Sequence, residues 1–204
     1  MIRRFVLAAL LLAGASLPLS SLPAKPPTRA TGGLVLVRLE TSAGPIVVGL
    51  ETRRAPITTA NFLRYVDSKR FDDTSFYRAA RAKNRSGFGL VQGGINRRMT
   101  RAFLPIAHEP TSQTGLSHVD GTLSMARNAP GTAMGEFFIT VGPAAGLDAR
   151  PGSVGYAAFG HVVSGMSAVR KILAAPTYPG GYSQTTKGQS IIKPIRIITA
   201  RRVK

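Results

Sequence analysis

The chain has 204 residues, with 27 lysines and arginines against nine acidic residues, a formal net charge of +18 and no cysteine. This length makes one domain the default and suffices to bury a core without staples. The missing cysteines exclude disulfides, thiolate metal sites and cysteine nucleophiles, and leave the compartment undecided.

In chain order, Arg3 and Arg4 precede the apolar run Phe5 to Ala13, the pattern of a secretory signal peptide. The run is short against the ~20 residues a spanning helix needs, and Pro18 follows closely. Residues 1–24 therefore read as a cleaved signal peptide, with Ala13-Gly14-Ala15 and Leu22-Pro23-Ala24 as cleavage candidates. That predicts a periplasmic protein; an uncleaved membrane anchor is the alternative. Residues 25–33 read as a disordered lead, and residues 34–204 as the domain. Removing Arg3 and Arg4 leaves 25 basic and nine acidic residues, a charge of +16. Such a field weakly attracts anionic envelope surfaces and acidic clients. The charges are scattered, as in Arg64, Lys69-Arg70, Arg97-Arg98 and Arg201-Arg202, and no basic motif is interleaved with aromatics. No specific nucleic-acid partner is expected. A charged patch gathered on one face would favour the rival reading of a nucleic-acid or envelope-surface binder.

Leu34 to Glu40 reads as a strand, Ser42 to Pro45 as a turn, and Ile46 to Leu50 as a second strand paired to the first. Pro56 opens a helix whose stripe Ile57, Phe62, Leu63 and Val66 runs to about Ser68. Thr74 to Arg78 is extended, a loop holds Lys83 to Gly87, and a strand runs through Leu90-Val91-Gln92. Gly121 to Met125, Phe137 to Val141 and Tyr156 to Val163 read as further strands. Ser164 is placed to cap a helix with Met166, Val169, Ile172 and Leu173 on one face. Pro176 to Gly188 reads as loop. Pro194 to Val203 closes the chain as a strand, with Ile195, Ile197 and Thr199 predicted on one face. The pattern by itself supports a β-rich α+β domain.

Two stretches carry the chemistry: Ser75-Phe76-Tyr77-Arg78 leading to Val91-Gln92-Gly93-Gly94, and Leu123 to Arg127 leading to Gly135-Glu136-Phe137-Phe138-Ile139. In this order and spacing they resemble the cyclophilin family of peptidyl-prolyl cis/trans isomerases. The resemblance spans roughly Leu34 to Val203. It implies a mainly β fold, a closed antiparallel eight-stranded barrel capped by two α-helices. It also implies an enzyme that binds proline-containing polypeptides and needs no cofactor or metal, and a monomer. By the same resemblance Arg78, in Phe76-Tyr77-Arg78, aligns with the catalytic arginine, and Gln92 with the glutamine that binds substrate and supports it. Phe138 aligns with the aromatic floor of the proline pocket, Leu90 and Leu147 with its apolar walls. Ala126 and Arg127 align with the segment whose main chain pairs with the peptide.

The chain departs from the family pattern at several places. It is longer between Arg78 and Gln92, and Gly89 falls where a pocket phenylalanine is usual, with Phe88 beside it. Glu136 replaces the usual glutamine. Two residues before Phe138, it should share that residue's strand face, where its carboxylate either holds Arg78 in place by a charge-assisted hydrogen bond or, the favoured reading, draws it away from the prolyl nitrogen. Gly146 replaces the tryptophan that favours cyclosporin, and Tyr156 replaces a pocket histidine. If these changes spoil the pocket, the alternative is a non-catalytic peptide-binding or chaperone module on the same fold. His108, His118 and His161 lack metal-ligand spacing and read as structural or surface residues.

Overall fold

A computed structural model of the chain describes residues 34–181 and 183–203. The predicted signal peptide and lead lie outside the described residues. Among the described residues nine strands run in chain order: β1 (Leu34–Thr41), β2 (Ile46–Glu51), β3 (Thr74–Arg81), β4 (Gly89–Gly94), β5 (Thr122–Met125), β6 (Glu136–Val141), β7 (Ala158–Ser164), β8 (Thr177–Tyr178) and β9 (Ser190–Arg202). They are ordered β1-β2-β7-β5-β6-β4-β3-β9, and β9 pairs back onto β1 to close an eight-stranded antiparallel barrel. The two-residue β8 adds to β9 outside that circuit, in a stretch predicted as loop. Closure leaves no long unpaired edge to template aggregation.

Three α-helices occur among the described residues, one more than expected: α1 (Pro56–Asp67), the single turn α2 (Thr111–Thr114) and α3 (Met166–Ala174). The four residues of α2 have no repeat for periodicity to detect. Pro at the first turn suits α1, but its N-cap is Ala55, which offers no side-chain oxygen. Glu109, distant in sequence and buried, supplies the cap. Its carboxylate accepts from Ile57 N (3.1 Å), Thr58 N (2.7 Å) and Thr58 Oγ1 (2.6 Å). Ile57, predicted on the apolar stripe, is exposed at this capped end, and Tyr65 is buried instead. Ser164 ends β7 and does not cap α3; Gly165 does, at a φ of 93°.

Inward positions alternate along the strands and fill the barrel with apolar side chains. Phe137 meets Phe62 (5.3 Å), Phe71 (5.4 Å) and Phe76 (5.7 Å) edge-on, so α1 is tied to β3 and β6 through rings. Such pairs each contribute about 0.5–1.5 kcal/mol beyond their buried area. On β9 the alternation slips. A bulge opposite Glu40 and Thr41 passes the inward place from Ile197 to Ala200, so Thr199 leaves the face it was predicted to share.

Candidate active site

The site lies on the outer face of the barrel wall and begins with a bulge in β3. Phe76 pairs with Gly93 and Arg78 with Gln92, so Tyr77 is the extra residue. Phe76 and Ala79, three apart, both point into the core. Tyr77 and Arg78 between them are thereby turned outward together, the usual effect of a bulge on side-chain direction. From Arg78 a row crosses neighbouring strands: Arg78 opposite Gln92, Gln92 opposite Phe138, Phe138 opposite Ser124. Opposed residues share a face and strands lie ~4.8 Å apart, so Arg78 and Phe138 stand about 10 Å apart at their Cα atoms. Leu90, two residues before Gln92, sits on the same face beside Ala80 and Thr140.

Arg78 is held by two amides. Its Nη1 donates to Gln92 Oε1 (2.7 Å) and its Nε to Gln189 Oε1 (2.8 Å). Gln189 is fixed in turn: its carbonyl accepts from Ala79 N (2.8 Å), and its Nε2 donates to Thr185 O (2.9 Å). No sequence signal marked Gln189, which lies between the predicted loop and β9. Nη2 of Arg78 has no partner among the described residues. Burial lowers the guanidinium from its ordinary value, countered by Tyr77 and Tyr156. It stays charged, because arginine starts so far above neutrality.

Phe138 is 3% exposed and rests on a buried polar group. His118 stacks on it at 5.9 Å and 12°, and Tyr156 meets it edge-on at 5.5 Å. His118 Nδ1 lies 2.6 Å from Asp148 Oδ1, and Nε2 lies 3.0 Å from Ser124 Oγ. The carboxylate can only accept, so Nδ1 carries the proton, and the neutral ring accepts from Ser124 at Nε2. Burial lowers the His118 pKa, opposed by Asp148. Serine, histidine and aspartate in this order imitate a hydrolytic triad. Ser124 is wholly buried in β5, so no substrate reaches its hydroxyl. The sequence reading grouped His118 with His108 and His161; its place against Phe138 depends on Asp148, thirty residues along the chain, and on the adjacent strands β5 and β6.

Tyr156 donates its main-chain N–H to Leu147 O (2.9 Å), which brings these two residues together at one end of the row. Arg127 lies over the Tyr156 ring at 4.7 Å and donates to Gly155 O. Its Nε is buried with no partner among the described residues. Ala126 continues β5 by donating to Glu136 O (2.9 Å). Phe88 packs on Gly142 at the end of β6, where an added Cβ would meet its ring at 1.8 Å. It extends the outer face of Leu90 and Gln92, capped by Arg85 at 4.3 Å. Around Gly146 an added Cβ would meet nothing within 4 Å, so the neighbouring wall is open.

Glu136 does lie on the Phe138 face, but its carboxylate does not hold Arg78. Oε2 accepts from Tyr77 OH (3.0 Å) and Oε1 from Arg97 N (2.6 Å). Tyr77 OH accepts from Gln92 Nε2 (2.7 Å). The expected direct pull on the guanidinium is replaced by a path through two intervening side chains. The bulge causes this by setting Tyr77 beside Arg78.

A closed antiparallel barrel thus carries an amide-anchored arginine, a glutamine and a supported aromatic in one outward row. The family profile described as "Cyclophilin type peptidyl-prolyl cis-trans isomerase/CLD" matches residues 36–202. A "Peptidyl-prolyl cis-trans isomerase A" of Dickeya dadantii is 35% identical over 187 residues, covering 90% of this chain and 93% of that protein. A "Peptidyl-prolyl cis-trans isomerase" of Acinetobacter baylyi is 34% identical over 170 residues, 81% of this chain and 84% of that protein. Among solved structures, a Cryptosporidium parvum cyclophilin type peptidyl-prolyl cis-trans isomerase, crystallised in the presence of the dipeptide Ala-Pro, superposes with a TM-score of 0.65. The superposition covers 83% of this chain and 99% of that one, and at 22% identity it supports the fold. The chain belongs to the cyclophilin-type peptidyl-prolyl cis-trans isomerases.

Proposed function

We propose that this protein accelerates Xaa-Pro isomerisation in exported, proline-containing polypeptides, acting as a periplasmic monomer with Arg78 as its catalytic group. The barrier to rotating an amide is about 18–20 kcal/mol and comes from resonance that twisting destroys. At the twisted transition state the prolyl nitrogen regains a lone pair and becomes a hydrogen-bond acceptor. A fixed cationic donor aimed at it binds that state better than either planar isomer. No nucleophile, proton transfer or metal is required.

The observation that carries this reading is the seat of Arg78. Two amides occupy Nη1 and Nε and leave Nη2 without a partner among the described residues, with an aromatic two strands along the same row. In the proposed complex the proline ring lies on Phe138 between the walls of Leu90, Leu147 and Tyr156. Gln92 and the main chain of Ala126 and Arg127 hold the peptide. A protease-coupled assay on an Xaa-Pro peptide tests it: peptide binding without catalysis would favour the non-catalytic module. Support for export is the N-terminal sequence. Mass spectrometry of the exported protein should find a mature N-terminus between Ser16 and Lys25, whereas intact Met1 in the membrane fraction would favour an anchor.

A further inference from the structure

Four side chains beside the site form one unbroken hydrogen-bond path from β6 to the arginine. Arg97 N–H and Tyr77 O–H both point at the Glu136 carboxylate, Gln92 Nε2 points at Tyr77, and Arg78 Nη1 points at Gln92 Oε1. The direction of this path follows from what each group can do. An ionised carboxylate only accepts. Tyr77 must therefore spend its one proton on Glu136, and its oxygen is left to accept. Gln92 must turn its NH2 to Tyr77 and its carbonyl to Arg78. The reversed amide would set NH2 against a guanidinium, two donors face to face.

The carboxylate's seat is built into the backbone. Gly94 has a φ of 142°, and a Cβ there would lie 2.6 Å from Glu136 Oε2 and 2.2 Å from Gly135 O. Only glycine leaves room for the carboxylate at this angle. Within the path Gln92 is buried, while Tyr77, Arg78 and Glu136 are partly buried. We propose that Tyr77 and Glu136 are positioning residues whose directed relay through Gln92 fixes the orientation of Arg78. This rests on the reading of Arg78 as the catalytic group.

The groups facing Glu136 are Tyr77 from β3, Arg97 from the segment after β4, and Tyr65 from α1, whose ring packs on Gly135. Burial raises the Glu136 pKa above the usual carboxylate range, opposed by the Arg97 N–H and Tyr77. Burial and the neighbouring carboxylate raise Tyr77 too, so the phenol keeps its proton. Protonating Glu136 gives it a proton to donate, so the carboxyl no longer dictates where Tyr77 sends its own proton, and Gln92 is then oriented by Arg78 alone. The sign is set: the relay is directed above the Glu136 pKa and is lost as pH falls through it.

Tyr77→Phe and Glu136→Gln test the relay, both near-isosteric and each shown folded by circular dichroism. Catalysed cis/trans exchange on an Xaa-Pro peptide is followed by NMR from pH 5 to 8, with the Arg78 Nε–H and Gln92 amide resonances as an activity-independent readout. Each variant should lose about 3–10-fold in efficiency, the size of one hydrogen bond. The double variant should lose no more than a single one, as members of one network do. Wild-type efficiency should fall as pH drops through the Glu136 pKa, while both variants stay flat, and the Gln92 and Arg78 resonances should shift in both. Wild-type efficiency in the single variants with unmoved resonances, or additive losses, would overturn the relay. If Arg78→Ala abolishes catalysis while Tyr77→Phe leaves it intact, the relay fails alone; if Arg78→Ala stays active, the reading of Arg78 fails.

Discussion

Replacing His118 by Gln should remove a pH-dependent part of the protein's stability. The imidazole is 1% exposed, stacked on Phe138 and held between Asp148 and Ser124. Burial lowers its folded pKa below the unfolded value of 6.5, despite the Asp148 carboxylate beside it. The unfolded chain therefore binds a proton that the folded one refuses. The stabilisation is complete above pH 6.5 and declines as pH falls below it, by up to about 1.4 kcal/mol per pH unit until the folded pKa is reached. Glutamine cannot titrate and lacks the ring. It should cost about 2–4 kcal/mol at pH 7.5, through lost packing and an imperfectly satisfied pair of partners. Urea unfolding of both proteins at half-unit steps from pH 7.5 to 5 gives the difference directly. It should shrink as pH falls. A constant difference would show that His118 does not rest neutral beneath the aromatic floor.

Three further outcomes follow from single contacts. Glu109→Ala should destabilise the fold by about 2–4 kcal/mol, because two N–H groups of α1 and the Thr58 hydroxyl lose a buried acceptor; an unchanged urea midpoint would rule out that cap. Gln189→Ala should cut kcat/KM about 3–10-fold with little change in KM, since it frees Nε of Arg78 and leaves the proposed peptide contacts in place; wild-type kinetics would show that Gln92 alone holds the guanidinium. Cyclosporin should inhibit weakly, and Gly146→Trp should tighten it, because the space around Gly146 is open; nanomolar inhibition of the wild type contradicts this view of the wall.

The strands, α1 and most of α3 were legible because alternation and helical spacing are local and the barrel buries one side of each element. Phe137 could be assigned to the core from its neighbour Phe138 by that alternation, and it is wholly buried. Local pattern failed where contacts are long-range or where the backbone slips by one residue. The bulge at Tyr77 turns two consecutive side chains outward, and the bulge in β9 moves Thr199 off its face. Glu109 caps a helix about fifty residues earlier in the chain, and Gln189 reaches Arg78 from the far end. His118 gave no signal because its partners, Asp148 and Ser124, are gathered by the barrel and by no motif. Motif spacing found the row Arg78, Gln92 and Phe138; what fixes and tunes that row became visible only in three dimensions.

The most direct test of the account is the isomerase activity of Arg78→Ala. The substitution leaves Gln92 and Gln189 partly exposed and able to find water, so circular dichroism should match the wild type. Removing one preorganised transition-state donor should lower kcat/KM on an Xaa-Pro peptide about 10²–10³-fold. A folded Arg78→Ala protein that keeps most of its activity would contradict the mechanism.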